Sequence, residues 1–401
     1  MDKLSGTTLV PSRRVVYLCP SYGTYWVQIF DSFNNRMGKD FTVVTQSIQD
    51  VVNAKIAQGL GDFQRKVVAG GRISISGRNS DKGRGTPFGL NIAPALPWAL
   101  LRIRPQVVIA NNFGLWSLAA IVMGYPTVLF WEGTNHTERT VRPWRIRLRR
   151  WMAQKACAFV VNGSAAMKYL CDELYVPKTK IFVGSLCSDP PPKDFSFEKC
   201  RDKAVGRQPE FLFVGRLVHG KGVDHLLRAA ALQLETQIDS SNFTVTIVGE
   251  GPQRQELEKL VDTLGIGHVT RFVGAVHPNE IWKYYYEADV FVLPTLQDNW
   301  PLVVLEAMSV GLPILLSRFA GSLPDLILEG KNGYGFTPSD HSYLASLMTK
   351  YINNPDLIVE HGRMSLTISE KYDANRSVDA FLQATSLAMR ERDYRTPAVR
   401  K

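Results

Sequence analysis

The 401-residue sequence has no uninterrupted apolar run of the length, about 18 residues, that a membrane-spanning helix requires. Its opening stretch, Met1 to Arg14, lacks the apolar core of a signal peptide, so the expected location is the cytoplasm. Cysteine is scarce. The five present, Cys19, Cys157, Cys171, Cys187 and Cys200, are odd in number and contain no Cys-x-x-Cys spacing, which argues against a disulfide framework and a zinc site and leaves reduced, mostly buried thiols. No Asp-x-Asp segment occurs, so no visible ligand set calls for a metal on a diphosphate. Low-complexity segments, solenoid-period repeats and recognised nucleic-acid motifs are also missing.

What is present is an ordinary globular composition, with 45% hydrophobic and 21% charged residues. The length exceeds what one hydrophobic core usually supports, so two domains of roughly 150 to 200 residues are expected. The net charge of +10 is lopsided. Residues 1–200 carry 26 Lys and Arg against 13 Asp and Glu, whereas residues 201–401 carry 21 against 24. All the positive excess lies in the first half, where it favours an anionic partner such as a membrane surface, a phosphate-bearing lipid or nucleic acid.

Strand and helix signals alternate along the chain. Short buried strands are expected around Arg14 to Pro20 and at Phe41–Val44, Val107–Ala110, Thr127–Trp131 and Ala158–Val161, with helices at Trp26–Met37, Leu115–Met123 and Ser164–Leu170. The triple proline Pro190 to Pro192 and the charged stretch up to Pro209 break this rhythm as a linker would. It then resumes with strands at Glu210–Val214, Phe243–Val248, Thr270–Val273, Val290–Leu293 and Pro313–Leu316 and helices between them. Such alternation predicts an α/β protein of two doubly wound parallel sheets, with ligands held where the carboxyl ends of the strands face a cleft. The expected division is 1–190, a linker over 191–209, 210–375, and a final segment 376–401 whose helix crosses back onto the first domain. Closure would hinge at the proline linker and at this crossing.

Chemistry concentrates in the second half. Val214-Gly215-Arg216 through Lys221-Gly222 places two cations at the mouth of a helix, where they can share a diphosphate with the helix N-terminus. Val248-Gly249-Glu250-Gly251-Pro252 and Val273-Gly274 are glycine turns after strands, each ambiguous alone. Asp298 precedes a turn, Pro301, Leu302 and Val303 open a helix with unpaired amides, and Glu306 sits inside that helix in an otherwise apolar run. Two carboxylates there can accept hydrogen bonds from sugar hydroxyls, or form a salt bridge inside the domain.

Taken in order, the Gly-Arg-Leu, Gly-Glu-Gly-Pro, Phe-x-Gly, Ala-Asp-Val-Phe-Val-Leu-Pro-Thr and Leu-Glu-Ala-Met segments over roughly residues 210 to 338 resemble the donor-binding domain of retaining GT-B glycosyltransferases of the family-4 type. The resemblance implies a GT-B fold of two Rossmann-like domains. It also implies transfer of a hexose-type sugar from a UDP- or GDP-sugar co-substrate to a hydroxyl acceptor, with retention and without a metal or other cofactor. The acceptor class would be a lipid-linked saccharide, glycolipid or polysaccharide precursor. By the same resemblance Arg216 and Lys221 bind the diphosphate, the amides around Pro301 to Val303 the phosphates, and Glu306 the ribose. Gly215, Gly249 and Gly251 line the nucleotide pocket, and Val273 and Gly274 lie near the base. The family pairs two glutamates eight positions apart; Asp298 stands at the first, which bears on donor-sugar identity more than on reaction type.

The first half matches the family mainly in its alternation of elements. Relatives carry a histidine where Glu132 stands in Phe130-Trp131-Glu132-Gly133-Thr134-Asn135-His136, so Glu132 or His136 is expected to orient the acceptor or the transferred sugar. Glu132 as a helix cap or an arginine partner is the bland alternative. Gly23, in the loop after the first strand, would allow close approach of a phosphate or acceptor. Ser164 reads as a helix N-cap. The segment from Arg139 to Lys155 mixes seven cations with Trp144 and Trp151, which suits either peripheral attachment at the inner face of an anionic membrane or a solvated helix with its tryptophans in the core. Readings from other classes are an epimerase or phosphorylase on the same plan, and a non-catalytic binder of anionic lipid or nucleic acid.

Overall fold

The computed structural model describes residues 14–20, 23, 25–46, 63–75, 88–198, 208–236 and 243–395. Ser21, Tyr22, Thr24, Cys200, most of the charged end of the linker and the last six residues therefore lie outside it. In the first half, strands β1 (Val15–Leu18), β2 (Phe41–Thr45) and β3 (Gln64–Val67) are followed by a hairpin, β4 (Gly71–Ile75) and β5 (Phe88–Ile92). Then come β6 (Val107–Asn111), β7 (Thr127–Trp131), β8 (Ala158–Val161) and β9 (Ile181–Val183). The helices are α1 (Tyr25–Met37), α2 (Leu96–Ile103), α3 (Leu115–Val122), α4 (Pro143–Lys155) and α5 (Ser164–Leu174). Seven of these strands form one parallel sheet in the order β3-β2-β1-β6-β7-β8-β9, and β4 pairs with β5 antiparallel.

The second half builds a six-stranded parallel sheet in the order β12-β11-β10-β13-β14-β15. Its strands are β10 (Glu210–Val214), β11 (Thr244–Val248), β12 (Thr270–Gly274), β13 (Val290–Leu293), β14 (Ile314–Ser317) and β15 (Gly333–Phe336). Its helices are α6 (Val223–Thr236), α7 (Arg254–Leu264), α8 (Ile281–Glu287), α9 (Leu302–Ser309), α10 (Leu323–Leu326), α11 (His341–Asn353), α12 (Pro355–Ser369) and α13 (Ala374–Arg395). The expectation of two doubly wound α/β sheets holds.

Alternation along the strands explains the layering. Val15, Tyr17, Val107, Ile109, Val128 and Phe130 point to a core shared with Trp26 and Phe30 of α1 and Phe381 of α13. Their neighbours Val16, Leu18, Val108, Ala110, Leu129 and Trp131 point to the other face, against α2 through α5. Helix α13 thus returns to the first sheet, as expected from sequence. Phe381 sits with its ring 5.7 Å from Tyr17 and 5.6 Å from Phe130. Ion pairs Arg36–Asp379 and Lys180–Glu391 tie down its flanks. Of the described cysteines, Cys19, Cys157 and Cys187 are buried and Cys171 is half-buried.

Candidate functional site

Strand order reverses between β1 and β6 in the first sheet and between β10 and β13 in the second, and loops diverging at such a point leave a crevice. The loop after β10 carries Lys221 and the loop after β13 carries Asp298. Adjacency of their strands brings the two side chains together, with Lys221 Nζ donating to Asp298 Oδ2 at 2.5 Å. The loops are pinned to one another by the Leu296 N–H and the Thr295 hydroxyl, both donating to the Gly220 carbonyl. From the first sheet, Glu132 follows β7 and Tyr25 opens α1. Together with Leu186, Asn299, Trp300, Pro301, Leu302 and Val303, these four residues line one cavity of about 310 Å³ between the sheets.

The cavity holds two carboxylates and one ammonium. Glu132 keeps its proton up to about pH 7, chiefly because the surrounding protein excludes water from it and secondarily because Asp298 stands opposite. Its remaining exposed surface is what lines the cavity, so limited accessibility and strong desolvation are compatible. Neither a helix-capping contact nor an arginine partner involves Glu132 among the described residues. Asn299 Oδ1 is buried without a partner among the described residues, an acceptor left open beside the ion pair. Helix α9 begins at the cavity with Pro301 as its cap residue, and no side chain caps the amides that follow.

Below the cavity, Tyr285 donates its hydroxyl to Glu306 Oε2 at 2.7 Å, which fixes the carboxylate and leaves its second oxygen available. Burial pushes the Glu306 carboxyl above the usual carboxylate range, and the Tyr285 bond works against that shift. The Arg216 side chain is exposed and makes no hydrogen bond or ion pair among the described residues. Arg216, Glu306, Gly215, Gly249, Gly251, Val273 and Gly274 lie outside the cavity lining. The glycine turns instead knit the loops: Gly215 N–H donates to Val248 O, Gly249 N–H to Gly274 O and Leu217 N–H to Glu250 O. Gly249 has φ +138°, and a Cβ there would run into the Gly215 carbonyl. Its necessity is therefore structural as well as any contact with a ligand.

Two first-half expectations come out differently in geometry. His136 does not line the cavity. Its Nε2 meets the Leu296 carbonyl at 2.9 Å and its ring stacks on Phe319 at 4.5 Å, so it braces the loop that carries Asp298. Ser164 is not the cap of α5, because Gly163 holds that position and Asp325 of the second half supplies the capping oxygens. The Ser164 N–H and hydroxyl both donate to Asp325 Oδ2 at 2.9 Å. Gly163 permits this, since a Cβ there would collide with Asp325 and with the Trp300 ring. Gly23 packs under the Tyr25 ring. Sequence reasoning did not single out Tyr25, Asn299, Trp300, Tyr285 or Asp325. The signal for Asn299 and Trp300 was their place between Asp298 and Pro301; Tyr285 and Asp325 carried none. No group of three or more His, Cys, Asp or Glu side chains placed to hold a metal occurs among the described residues.

With this geometry in place, residues 196–364 match the family Glycosyl transferases group 1. The match spans under half of the chain, nearly all of it in the second domain. An uncharacterised glycosyltransferase of Methanocaldococcus jannaschii is 30% identical over 198 residues, 48% of this chain and 50% of the relative. The sulfoquinovosyl transferase of Arabidopsis thaliana is 25% identical over 305 residues, 72% of this chain and 58% of the relative. The chain spans about half the length of the curated relatives it matches. Among solved structures, Anabaena HepE in complex with UDP is similar at a TM-score of 0.70 and 15% identity, covering 93% of this chain and 99% of that one. The fold of the chain is GT-B.

Proposed function

We propose that this chain moves a hexose-type sugar from a UDP- or GDP-sugar to a hydroxyl of a lipid-linked saccharide, glycolipid or polysaccharide precursor, with retention and without a metal. The observation that carries this reading is the convergence of Lys221, Asp298, Glu132 and the uncapped start of α9 on one cavity between two facing sheets. Lys221, Arg216 and the Leu302 and Val303 amides meet the diphosphate, and Glu306 presents its free oxygen to the ribose. Val273 and Gly274 flank the base. Asp298 accepts from a sugar hydroxyl once the donor draws Lys221 toward phosphate. Glu132, its carboxyl pushed up to about 7, donates in its protonated form to the sugar or acceptor and is better placed for that than His136.

In the reaction the bond from the anomeric carbon to the diphosphate oxygen breaks while the acceptor oxygen bonds on the same face. The acceptor's proton passes to the departing phosphate. Preorganised donors facing that developing charge are worth about 3 to 4 kcal/mol each in comparable sites. Thermal-shift screening against UDP-, GDP- and ADP-sugars, followed by transfer from a labelled donor, tests the reading. A stabilising donor and a labelled glycoside support it; no stabilisation by any of the panel sinks it.

A further inference from the structure

Helix α4 buries an arginine beside Met152 and Ala153 and exposes an apolar stripe. Its arginine Arg149 is buried, with Nη1 2.6 Å from Glu138 and 2.9 Å from the Tyr169 hydroxyl, and its guanidinium lies 4.8 Å over the Trp131 ring. Meanwhile Trp144, Leu148 and Trp151, spaced to form one stripe along the helix, are 58%, 37% and 39% exposed. An isolated surface hydrophobe is unremarkable in a globular protein. Here they gather. Of thirteen exposed large hydrophobic residues among those described, eight fall between residues 96 and 175, including all three exposed tryptophans. Trp98 and Leu101 project from α2 and Val122 from α3, and these helices adjoin α4 in one layer over a single face of the first sheet.

The charges carried by α2, α3 and α4 and their loops are of one sign, with Asp172 and Glu173 standing on the neighbouring α5. Between residues 93 and 163 the sequence has nine arginines and lysines and only two acids, Glu132 and Glu138. Both acids are turned inward, one to the cavity and one to Arg149. Arg102, Arg104, Arg139, Arg142, Arg147 and Lys155 remain exposed with no acid among them. Tryptophan and arginine are also enriched at protein interfaces, but there the apolar centre is depleted of charge, whereas here the cations run along the tryptophan stripe itself. Arginines interleaved with tryptophans instead match a headgroup layer, where indole rings sit at the boundary and guanidinium groups meet phosphate.

We propose that the α2–α3–α4 face of the first domain seats on an anionic lipid bilayer, with Trp98, Trp144 and Trp151 entering the headgroup boundary and the surrounding arginines held by lipid phosphate. The claim stands apart from the sugar-nucleotide reading, because it uses none of the cavity residues and its test needs no donor.

The full chain is sedimented with vesicles of phosphatidylcholine alone and of equal parts phosphatidylcholine and phosphatidylglycerol, at low and high salt. Binding is expected only to the anionic vesicles, weakened by salt. Replacing Arg142→Gln and Arg147→Gln together should lower partitioning by about 30-fold. Trp98→Ser, Trp144→Ser and Trp151→Ser combined should also lower it and remove fluorescence quenching by brominated lipid. These positions are exposed, so an unchanged melting temperature checks that the variants fold. Equal binding to neutral vesicles, no binding to anionic ones, or binding that ignores the tryptophan changes and is matched by duplex DNA would each overturn the proposal.

Discussion

Lys221, Asp298 and Glu132 share one cavity in which Lys221 pairs with Asp298, while desolvation first and Asp298 second hold a proton on Glu132. Lys221 is therefore the group whose loss exposes the problem a bound diphosphate would face. Replacing it by Ala is expected to lower turnover about 10²–10³-fold. Its ion pair, about one-fifth exposed at both partners, contributes little to stability by comparison. Steady-state kinetics beside a melting curve makes the distinction; unchanged turnover would refute the assigned role. Glu132 offers a second reading at this scale. The folded protein holds its proton up to about pH 7, above the ordinary value of 4.5, so it binds more protons than the unfolded chain between those values. Stability contributed by the neutral form is thus present at low pH and is lost as pH rises through 7. Glu132→Gln removes this dependence. The variant should melt with wild type at pH 5 and above it at pH 8, by up to about 3 kcal/mol. A constant offset at both pH values would show that Glu132 is not the titrating group.

At the scale of elements, α4 illustrates where pattern reading stops. Counting cations and tryptophans leaves it open which face is buried, because a helix rich in arginine is expected to show those arginines to water. The structure decides otherwise for Arg149, since Glu138 and Tyr169 satisfy it inside. Arg149→Ala should cost roughly 3–5 kcal/mol by leaving Glu138 partly buried and unpaired, whereas Arg147→Ala on the exposed side should cost under about 0.5 kcal/mol. Equal melting temperatures for the two variants would place the burial wrongly. Strands with continuous apolar runs, such as Val290–Leu293, were legible because burial on both faces leaves them no polar alternation. Others were not. Strand β9 has three residues, β15 reads Gly-Tyr-Gly-Phe, and β3 reads Gln-Arg-Lys-Val, so neither length nor composition marks them. The meeting of Lys221 and Asp298 was legible because they follow adjacent strands, whereas Arg216 and Glu306 fall outside the cavity lining. Asp325 and Tyr285 act across long sequence separations that no local pattern encodes.

Across the whole molecule, one hydrophobic cluster runs through both halves, and polar contacts line the seam beside it. Trp300 Nε1 donates to the Leu186 carbonyl at 3.0 Å, Gln297 reaches the Thr137 carbonyl at 3.3 Å, and His136 holds Leu296. The strongest of these contacts is Asp325 on the start of α5, where a carboxylate accepts from the Ser164 N–H and hydroxyl at a positive helix end. Hydrogen bonds to a charged acceptor contribute about 1.5–3 kcal/mol, enough to bias an equilibrium between apposed and separated domains. If the donor binds only the apposed form, its apparent affinity scales with that form's population. Asp325→Ala should then weaken donor binding by up to about 30-fold and enlarge the radius of gyration of the unliganded protein. Ser164→Ala keeps the N–H donor and should do less. Calorimetric titration of the donor beside small-angle scattering reads both quantities. If Asp325→Ala leaves both where they were, apposition is held elsewhere along the seam, and the cavity does not depend on this cap.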